Sequence, residues 1–426
     1  MKKVLFSMIL LLGAGVGFAQ EKSVKQAKSI ANAVNPDFAK AEQLINAALT
    51  NPETKDDPET WNVAGLVQQK RSAKEMESAY LKKPYDTLQV YNSALAMCKY
   101  YFKCDELAQI PNEKGKIKNK YRKPNSASVL AEKNNLINGG IQYFNMAMGD
   151  ESKAKEYNQK ALDFFGCYID VALNPMFEGQ NILQTDTVLP QIAYYASLAA
   201  MKLEDYPSIL KYAPYGKGDK EVGKYNMEFI STALKAQGKT DEWVASLQEG
   251  IQQYPDHAFF FGHLIDYYSN NNKYDEAMQF ADKMLDQDAD NTFYLYVKGY
   301  LYHNQYSTLK SDKKDQEAAA VLEKAIEYYQ KTVDVDPTYA EAFSNMGLIY
   351  CLQAQDFSEK ATTDVNDPKY KEDMATLKAF YEKAKPNYEK ARQLKPDQKE
   401  LWLQGLYRVY YNLDMGPEFK EIEEMM

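Results

Sequence analysis

Apolar and aromatic residues recur every three to four positions along most of the chain, which is the spacing of an amphipathic helix. After Tyr274, the small residue Ala277 is followed by Phe280 and then by Met284-Leu285. The same order of small, aromatic and apolar positions returns at 321–337 and at 380–396, and both segments end at a proline. The pattern therefore predicts helices of one recurring kind and an all-α chain.

A second kind of helix precedes two of these segments. It carries a large residue, a glycine and a tyrosine on one face, because steps of four and then three residues return to the same side of a helix. The two triplets are Leu295, Gly299 and Tyr302, and Phe343, Gly347 and Tyr350. We expect the glycine to let the partner helix approach closely and the tyrosine to fill the space beside it. The alternation of the two kinds predicts repeated helix–turn–helix units.

These paired helices resemble the tetratricopeptide repeat (TPR), whose unit is 34 residues long. Repeats that begin at Pro190, Lys224, Ala258 and Thr292 follow one another at intervals of 34 residues without an insertion. The resemblance implies an all-α, right-handed superhelical solenoid of antiparallel helix pairs with a concave groove. It also implies that further repeats begin at Ala340 and, as an incomplete terminal unit, at Lys399.

The strength of the repeat pattern divides the chain. Residues 190–426 are predicted to form a C-terminal TPR array with insertions near 303–317 and 355–378. Residues 20–189 are predicted to form divergent helical repeats with a basic loop at 110–128. The cationic residues of this loop are Lys114, Lys116, Lys118, Lys120, Arg122 and Lys123. The loop is either a solvated insertion or a docking element for an anionic partner.

The N-terminus has the pattern of an export signal. Lysines at positions 2 and 3, an apolar run from Val4 to Leu12, and the small-residue site Gly17-Phe18-Ala19 predict a signal peptide over 1–19. No later segment has the long apolar run of a membrane span. We therefore expect an exported chain without membrane spans, placed in the periplasm, with secretion or surface association as alternatives.

Composition narrows the class of partner. The formal net charge of −9 argues against a nucleic-acid partner, which requires a basic surface.

The four cysteines are Cys98, Cys104, Cys167 and Cys351. Two of them, Cys98 and Cys104, share a predicted helix at about 9 Å, which is too far for a disulfide. We interpret the cysteines as buried thiols, although an oxidising compartment permits disulfides.

Sequence motifs for catalysis are missing. The three histidines, at 257, 263 and 303, do not have the spacing that places two metal ligands on one helical face. Asp286, Asp288 and Asp290 resemble the start of a calcium loop, but Asn291 and Val297 stand where its glycine and glutamate belong. We therefore predict that the chain is not an enzyme and has no metal site and no cofactor.

The TPR resemblance implies where a partner would bind, because the groove of that family is lined by positions two, five, nine and twelve of the first helix in each repeat. The residues at such positions are Tyr225, Glu228, Phe259, Asp266, Ser269, Phe293, Tyr296, Tyr300 and His303. This aromatic, weakly acidic strip would suit an extended peptide. Alternatively, its side chains pack against neighbouring helices. The family's Lys and Asn clamp for a C-terminal carboxylate is absent, since Glu228, Gly262 and Tyr296 stand at position five.

The sequence thus predicts a non-catalytic protein–protein interaction scaffold or adaptor of the cell envelope that binds a protein or peptide partner. The alternative is a glycan-binding helical protein of surface nutrient uptake, which would use the aromatic residues as platforms. Against this alternative, the chain has no cysteine near the predicted cleavage site to carry a lipid anchor.

Overall fold

The computed structural model describes residues 21–426 except 112, 118 and 256. The predicted signal peptide lies outside these residues. The described chain is built from helices and divides into two compact units between Tyr254 and Pro255. The prediction that separates 20–189 from 190–426 rests on the repeat pattern, and remains a prediction.

The first unit holds twelve α-helices among its described residues. They are α1 (21–31), α2 (Phe38–Thr50), α3 (Pro58–Tyr80), α4 (Thr87–Ala108), α5 (Arg122–Ala131), α6 (Lys133–Gly149), α7 (Ala154–Leu173), α8 (Ile182–Thr185), α9 (Leu189–Leu203), α10 (Tyr206–Tyr212), α11 (Gly223–Ala236) and α12 (Thr240–Gln253). Helices pair in sequence order, α3 with α4, α6 with α7, α9 with α10 and α11 with α12. Each pair buries its apolar faces on the next, which is how a repeat array builds a core.

The second unit holds eight described α-helices. They are α13 (Ala258–Asn270), α14 (Tyr274–Gln287), α15 (Thr292–Ser311), α16 (Asp315–Val335), α17 (Ala340–Ser358), α18 (Tyr370–Leu394), α19 (Leu403–Asn412) and α20 (Gly416–Glu423). These also form four consecutive pairs. The all-α class and the helix pairing predicted from the sequence are therefore confirmed. No described helix is both long enough and apolar enough to cross a membrane.

The turns inside the helix pairs share one backbone geometry. In six of them, one residue adopts left-handed φ and the next residue donates its N–H to a carbonyl five residues earlier, which ends the first helix. The left-handed residues are Lys82, Glu204, Gly238, Asn272, Lys313 and Asp414. Three of them, Glu204, Gly238 and Asn272, are 34 residues apart. The 34-residue period is therefore visible in the backbone as well as in the sequence.

Glycines of the first helices lie against aromatic rings of their partners. A Cβ added to Gly299 would lie 2.8 Å from the ring of Tyr329, and one added to Gly347 would lie 2.8 Å from Tyr388. The predicted close approach is thus present. The ring that fills the space belongs to the second helix, whereas the predicted Tyr302 instead stacks on Tyr328 with ring centroids 5.8 Å apart.

The extra residues near 303–317 do not form a separate insertion. They lengthen both helices of one pair, since α15 has 20 residues where α13 has 13, and α16 has 21 where α14 has 14. The extra residues near 355–378 end α17, form a connection at 359–369 and begin α18. The predicted basic loop is shorter than 110–128, because α5 begins at Arg122, where Asp105 accepts hydrogen bonds from the guanidinium.

Candidate partner-binding surfaces

An aromatic surface lies across α9 and α11 in the first unit. The Tyr194 ring centroid is 5.9 Å from that of Tyr225 and 5.8 Å from that of Phe229. Tyr225 and Phe229 are four residues apart on α11 and therefore share a face with each other. The α9–α11 surface consists of these three aromatic residues, Tyr194, Tyr225 and Phe229, and of Glu228, which precedes Phe229 on α11.

The rings of this surface differ in exposure. Tyr225 is 38% exposed, whereas Tyr194 and Phe229 are partly buried. Burial raises the pKa of Tyr194, and the negative charges of neighbouring groups, Glu228 among them, add to the shift. Tyr194 therefore stays neutral and can act as a hydrogen-bond donor. The surface offers flat apolar rings with hydroxyl tips and one carboxylate.

Further aromatic residues pack against Tyr194 on the side of the core. Tyr195 contacts Tyr194 at 5.3 Å between ring centroids and stacks on Phe165 of α7 at 5.8 Å. Phe144 of α6 meets Tyr195 edge-on at 6.2 Å. Since Phe165 is fully buried, these ring contacts connect Tyr194 to the core. A partner would meet side chains that are already ordered, which lowers the entropy cost of binding.

Tyr194 is absent from the predicted strip. It stands at position five of the repeat that begins at Pro190, and thus at one of the groove positions that were applied to the later repeats. The sequence therefore contained the signal. Because the repeat match is weaker before residue 224, the predicted strip begins only at Tyr225.

In the second unit, the predicted residues of α13 differ in their surroundings. The Phe259 ring lies edge-on to His263, with centroids 4.5 Å apart. Asp266 is exposed to solvent, and the hydroxyl of Ser269 is buried without a hydrogen-bond partner among the described residues. Among the three predicted residues of α13, Asp266 is the one that presents an exposed polar group.

The predicted residues of α15 are largely taken up by packing. Phe293 lies edge-on to Phe261 at 4.9 Å, and Tyr300 stacks on Tyr296 at 6.4 Å. Tyr296 contacts the rings of Tyr329 at 5.5 Å and Tyr339 at 4.9 Å. Its hydroxyl accepts a hydrogen bond of 3.0 Å from the Asn345 side chain. For Tyr296, the structure therefore gives the second interpretation of the strip, in which the side chain packs against neighbouring helices.

His303 is the last predicted residue of α15. Its Nδ1 is buried and makes no hydrogen bond within the described part of the chain. Burial lowers the pKa of His303 from 6.5 to about 4. The imidazole is therefore neutral at pH 7. The roles of all the strip residues in partner binding remain predictions.

Cavities in the first unit lie on other helices. The largest of those described has a volume of 580 Å³ and lies between α4, α5 and the segment after α7. Charged side chains around it neutralise one another, since Arg122 pairs with Asp105 at 2.7 Å and Lys103 with Glu106 at 2.6 Å. The third cation of the lining, Lys99, pairs with Asp163 of α7 at 3.1 Å, so each cation around the cavity has a carboxylate partner. Among the described residues, no group of three or more His, Cys, Asp or Glu is placed to hold a metal ion.

Comparison with known proteins gives structural likenesses at low identity. No family model and no curated protein matches the chain. A TPR repeats protein from Bacteroides fragilis is 18% identical, over 69% of this chain and 99% of that chain, with a TM-score of 0.32. Human IFIT1, solved as a dimer with m7Gppp-AAAA, is 12% identical, over 84% and 92% of the two chains, with a TM-score of 0.29. The chain is thus similar to TPR proteins, and its all-α class rests on its own helix pairs.

Proposed function

We propose that the chain is a non-catalytic interaction scaffold or adaptor of the cell envelope, which binds a protein or peptide partner. The observation that carries this proposal is the α9–α11 surface, where partly exposed tyrosines connect through Tyr195 to the buried ring of Phe165. Tyrosine supplies a large contact area with few rotatable bonds, and for this reason it is frequent at the centre of protein interfaces.

The chemistry of the surface indicates the kind of segment that it would bind. Apolar side chains of the partner would lie on Tyr194, Tyr225 and Phe229, and backbone N–H groups or a cationic side chain would reach Glu228. The N-terminal pattern of residues 1–19 supports placement of the scaffold in the periplasm. N-terminal sequencing of the protein from a periplasmic fraction tests this placement, with a first residue of Gln20 expected and an intact Met1 contradicting it.

Site-specific photocrosslinking tests the proposed surface. A photoreactive phenylalanine analogue at position 225 should trap a partner from the native envelope fraction. Position 80 serves as the matched control, because Tyr80 is a tyrosine of the same unit with 88% exposure and lies at the end of α3, away from this surface. A partner trapped equally at both positions, or at neither, would contradict the assignment of the surface.

Substitution then measures the contribution of the rings. We expect Tyr194→Ala with Tyr225→Ala to weaken binding of the trapped partner at least tenfold, since each aromatic anchor contributes about 1 kcal/mol or more. Tyr80→Ala should leave the affinity unchanged. If instead the double variant loses binding on a glycan array while its protein partners stay bound, the surface serves the glycan-binding alternative.

A further inference from the structure

Two cysteine thiols meet in the core between α4 and α7. Cys98 is fully buried and Cys167 is 4% exposed, and both belong to the same apolar cluster. The thiol of Cys167 is the largest influence on the pKa of Cys98, as expected for neighbouring side chains of one cluster. Lys99, the neighbour of Cys98, pairs with Asp163 of α7 at 3.1 Å, and Asp163 lies one helical turn before Cys167. An ion pair thus joins the same two helices beside the thiols.

The other two cysteines have different neighbours. The Sγ of Cys104 lies 3.8 Å from the side-chain nitrogen of Asn125. Cys351 is buried in the second unit beside Tyr388. In the described part of the chain, all four cysteines are free thiols. Only Cys98 and Cys167 are in contact with each other among these four, and this makes Cys104 and Cys351 natural controls.

A small cavity gives access to one thiol of the pair. It has a volume of 210 Å³, and its lining includes Lys99, Asp163 and Cys167. Cys98 lies behind this lining and is fully buried. The contact with Cys167 and burial hold the pKa of Cys98 well above its ordinary value, so that it remains a thiol at neutral pH. A small reagent would therefore reach Cys167 first.

We propose that Cys98 and Cys167 form a disulfide that ties α4 to α7 across two successive helix pairs. The oxidant is a small disulfide or a dithiol–disulfide oxidoreductase of an oxidising compartment. The thiolate of Cys167 attacks the oxidant and forms a mixed disulfide, and one thiol of the oxidant leaves. Cys98 gives up its proton and attacks the Cys167 sulfur, which expels the second thiol. Two protein thiols are thereby oxidised and one disulfide is reduced to two thiols.

The link goes beyond the proposed scaffold function, because it concerns the stability of the first unit and not partner binding. A disulfide places its two sulfur atoms about 2.05 Å apart, and neighbouring thiols on two packed helices are the starting arrangement for such a bond. The bond would close a loop of about 70 residues, and loops of this length give a large entropic stabilisation in the chain-entropy account.

Thiol counting on the folded full-length chain tests the proposal. The reduced protein is incubated with 2-hydroxyethyl disulfide, then denatured and alkylated, and its intact mass is measured. We expect two alkylated cysteines, and a crosslinked peptide pair that contains Cys98 and Cys167 after digestion without reductant. Four alkylated cysteines, or a pair that includes Cys104 or Cys351, would overturn the assignment.

Variants separate the disulfide from a general effect on folding. Cys104→Ala should still lose two thiols and should unfold at a higher temperature when oxidised than when reduced. Cys167→Ala should show no such redox-dependent shift and should keep its three remaining thiols. A redox-dependent shift of equal size in Cys167→Ala would contradict the proposal even if that variant is less stable than the parent chain.

Discussion

At the scale of single residues, His303 shows how burial alone sets the ionisation of a side chain. No charged partner contributes to the shift, and the loss of solvent lowers its pKa from 6.5 to about 4. Because the folded pKa is lower than that of the unfolded chain, the unfolded state takes up a proton first as the pH falls. The folded state is therefore favoured fully above about pH 6.5 and loses stability between pH 6.5 and about 4.

This linkage gives a prediction for the His303→Gln variant. Between pH 7 and pH 5, the parent protein should lose about 2 kcal/mol more unfolding free energy than the variant, at about 1.4 kcal/mol for each pH unit below 6.5. Carboxylates titrate in both proteins, so their contribution to the change in unfolding free energy is the same in each and cancels in the comparison. Amide hydrogen exchange of α15 at the two pH values provides the measurement, and equal losses would show that His303 is solvated.

A second residue-scale prediction concerns two glycines with opposite surroundings. Gly347→Ala should destabilise the second unit by about 1–3 kcal/mol, since the new Cβ would meet the Tyr388 ring at 2.8 Å. Gly262→Ala should stabilise it by up to about 1 kcal/mol, because Gly262 is exposed within α13 and a Cβ there meets nothing within 4 Å. Chemical denaturation followed by circular dichroism compares the two, and the same sign for both would contradict the packing described.

At the scale of elements, the left-handed turns are the feature that recurs most regularly. Gly238 adopts this conformation without a steric penalty, but Lys313 has a side chain at a φ of 59°. We expect Gly238→Ala to destabilise the first unit by about 1 kcal/mol and Lys313→Gly to stabilise the second by a similar or smaller amount. Thermal unfolding of both variants measures this, and a destabilised Lys313→Gly would indicate that the lysine side chain makes a stabilising contact.

The frame of these elements could be predicted from the sequence. Repeats were placed at Pro190, Lys224, Ala258 and Thr292, and the helices α9, α11, α13 and α15 begin at the same residue or one residue earlier. Apolar spacing defines a helix locally, and the 34-residue period then fixes its partner. The period does not predict the structure of the extra residues near 303–317. The same number of additional residues can lengthen two paired helices or form a loop between them.

The binding role of the candidate site stays a prediction, because the sequence does not show how far packing covers its side chains. A groove position in the TPR pattern specifies a helical face, but it does not specify which side chains cover that face. Tyr296 packs against Tyr339, which directly precedes α17, with ring centroids 4.9 Å apart. Tyr225, by contrast, is 38% exposed. Long-range packing therefore decides between a binding surface and a core.

At the scale of the whole molecule, contacts are arranged in sequence order within each unit. Stability in such arrays is local, since each repeat depends on itself and its neighbours. We predict that Gly347→Ala speeds amide exchange in α17 and α18 and leaves exchange in α3 and α4 unchanged. Mass-spectrometric exchange on the full chain can follow both regions, and equal acceleration in both would show a single cooperative folding unit.

The pair α15 and α16 shows how one repeat of such a chain can grow. Each helix is seven residues longer than its counterpart in the pair before. Seven residues make close to two turns, so side chains beyond the addition return to the faces that they held before it. In this pair, both helices are lengthened by the same seven residues. Lys310, in the added part of α15, binds Asp356 of α17 at 3.0 Å, so the lengthened end is tied to the next pair. A designer could lengthen α15 and α16 by two further turns with one matched heptad in each helix.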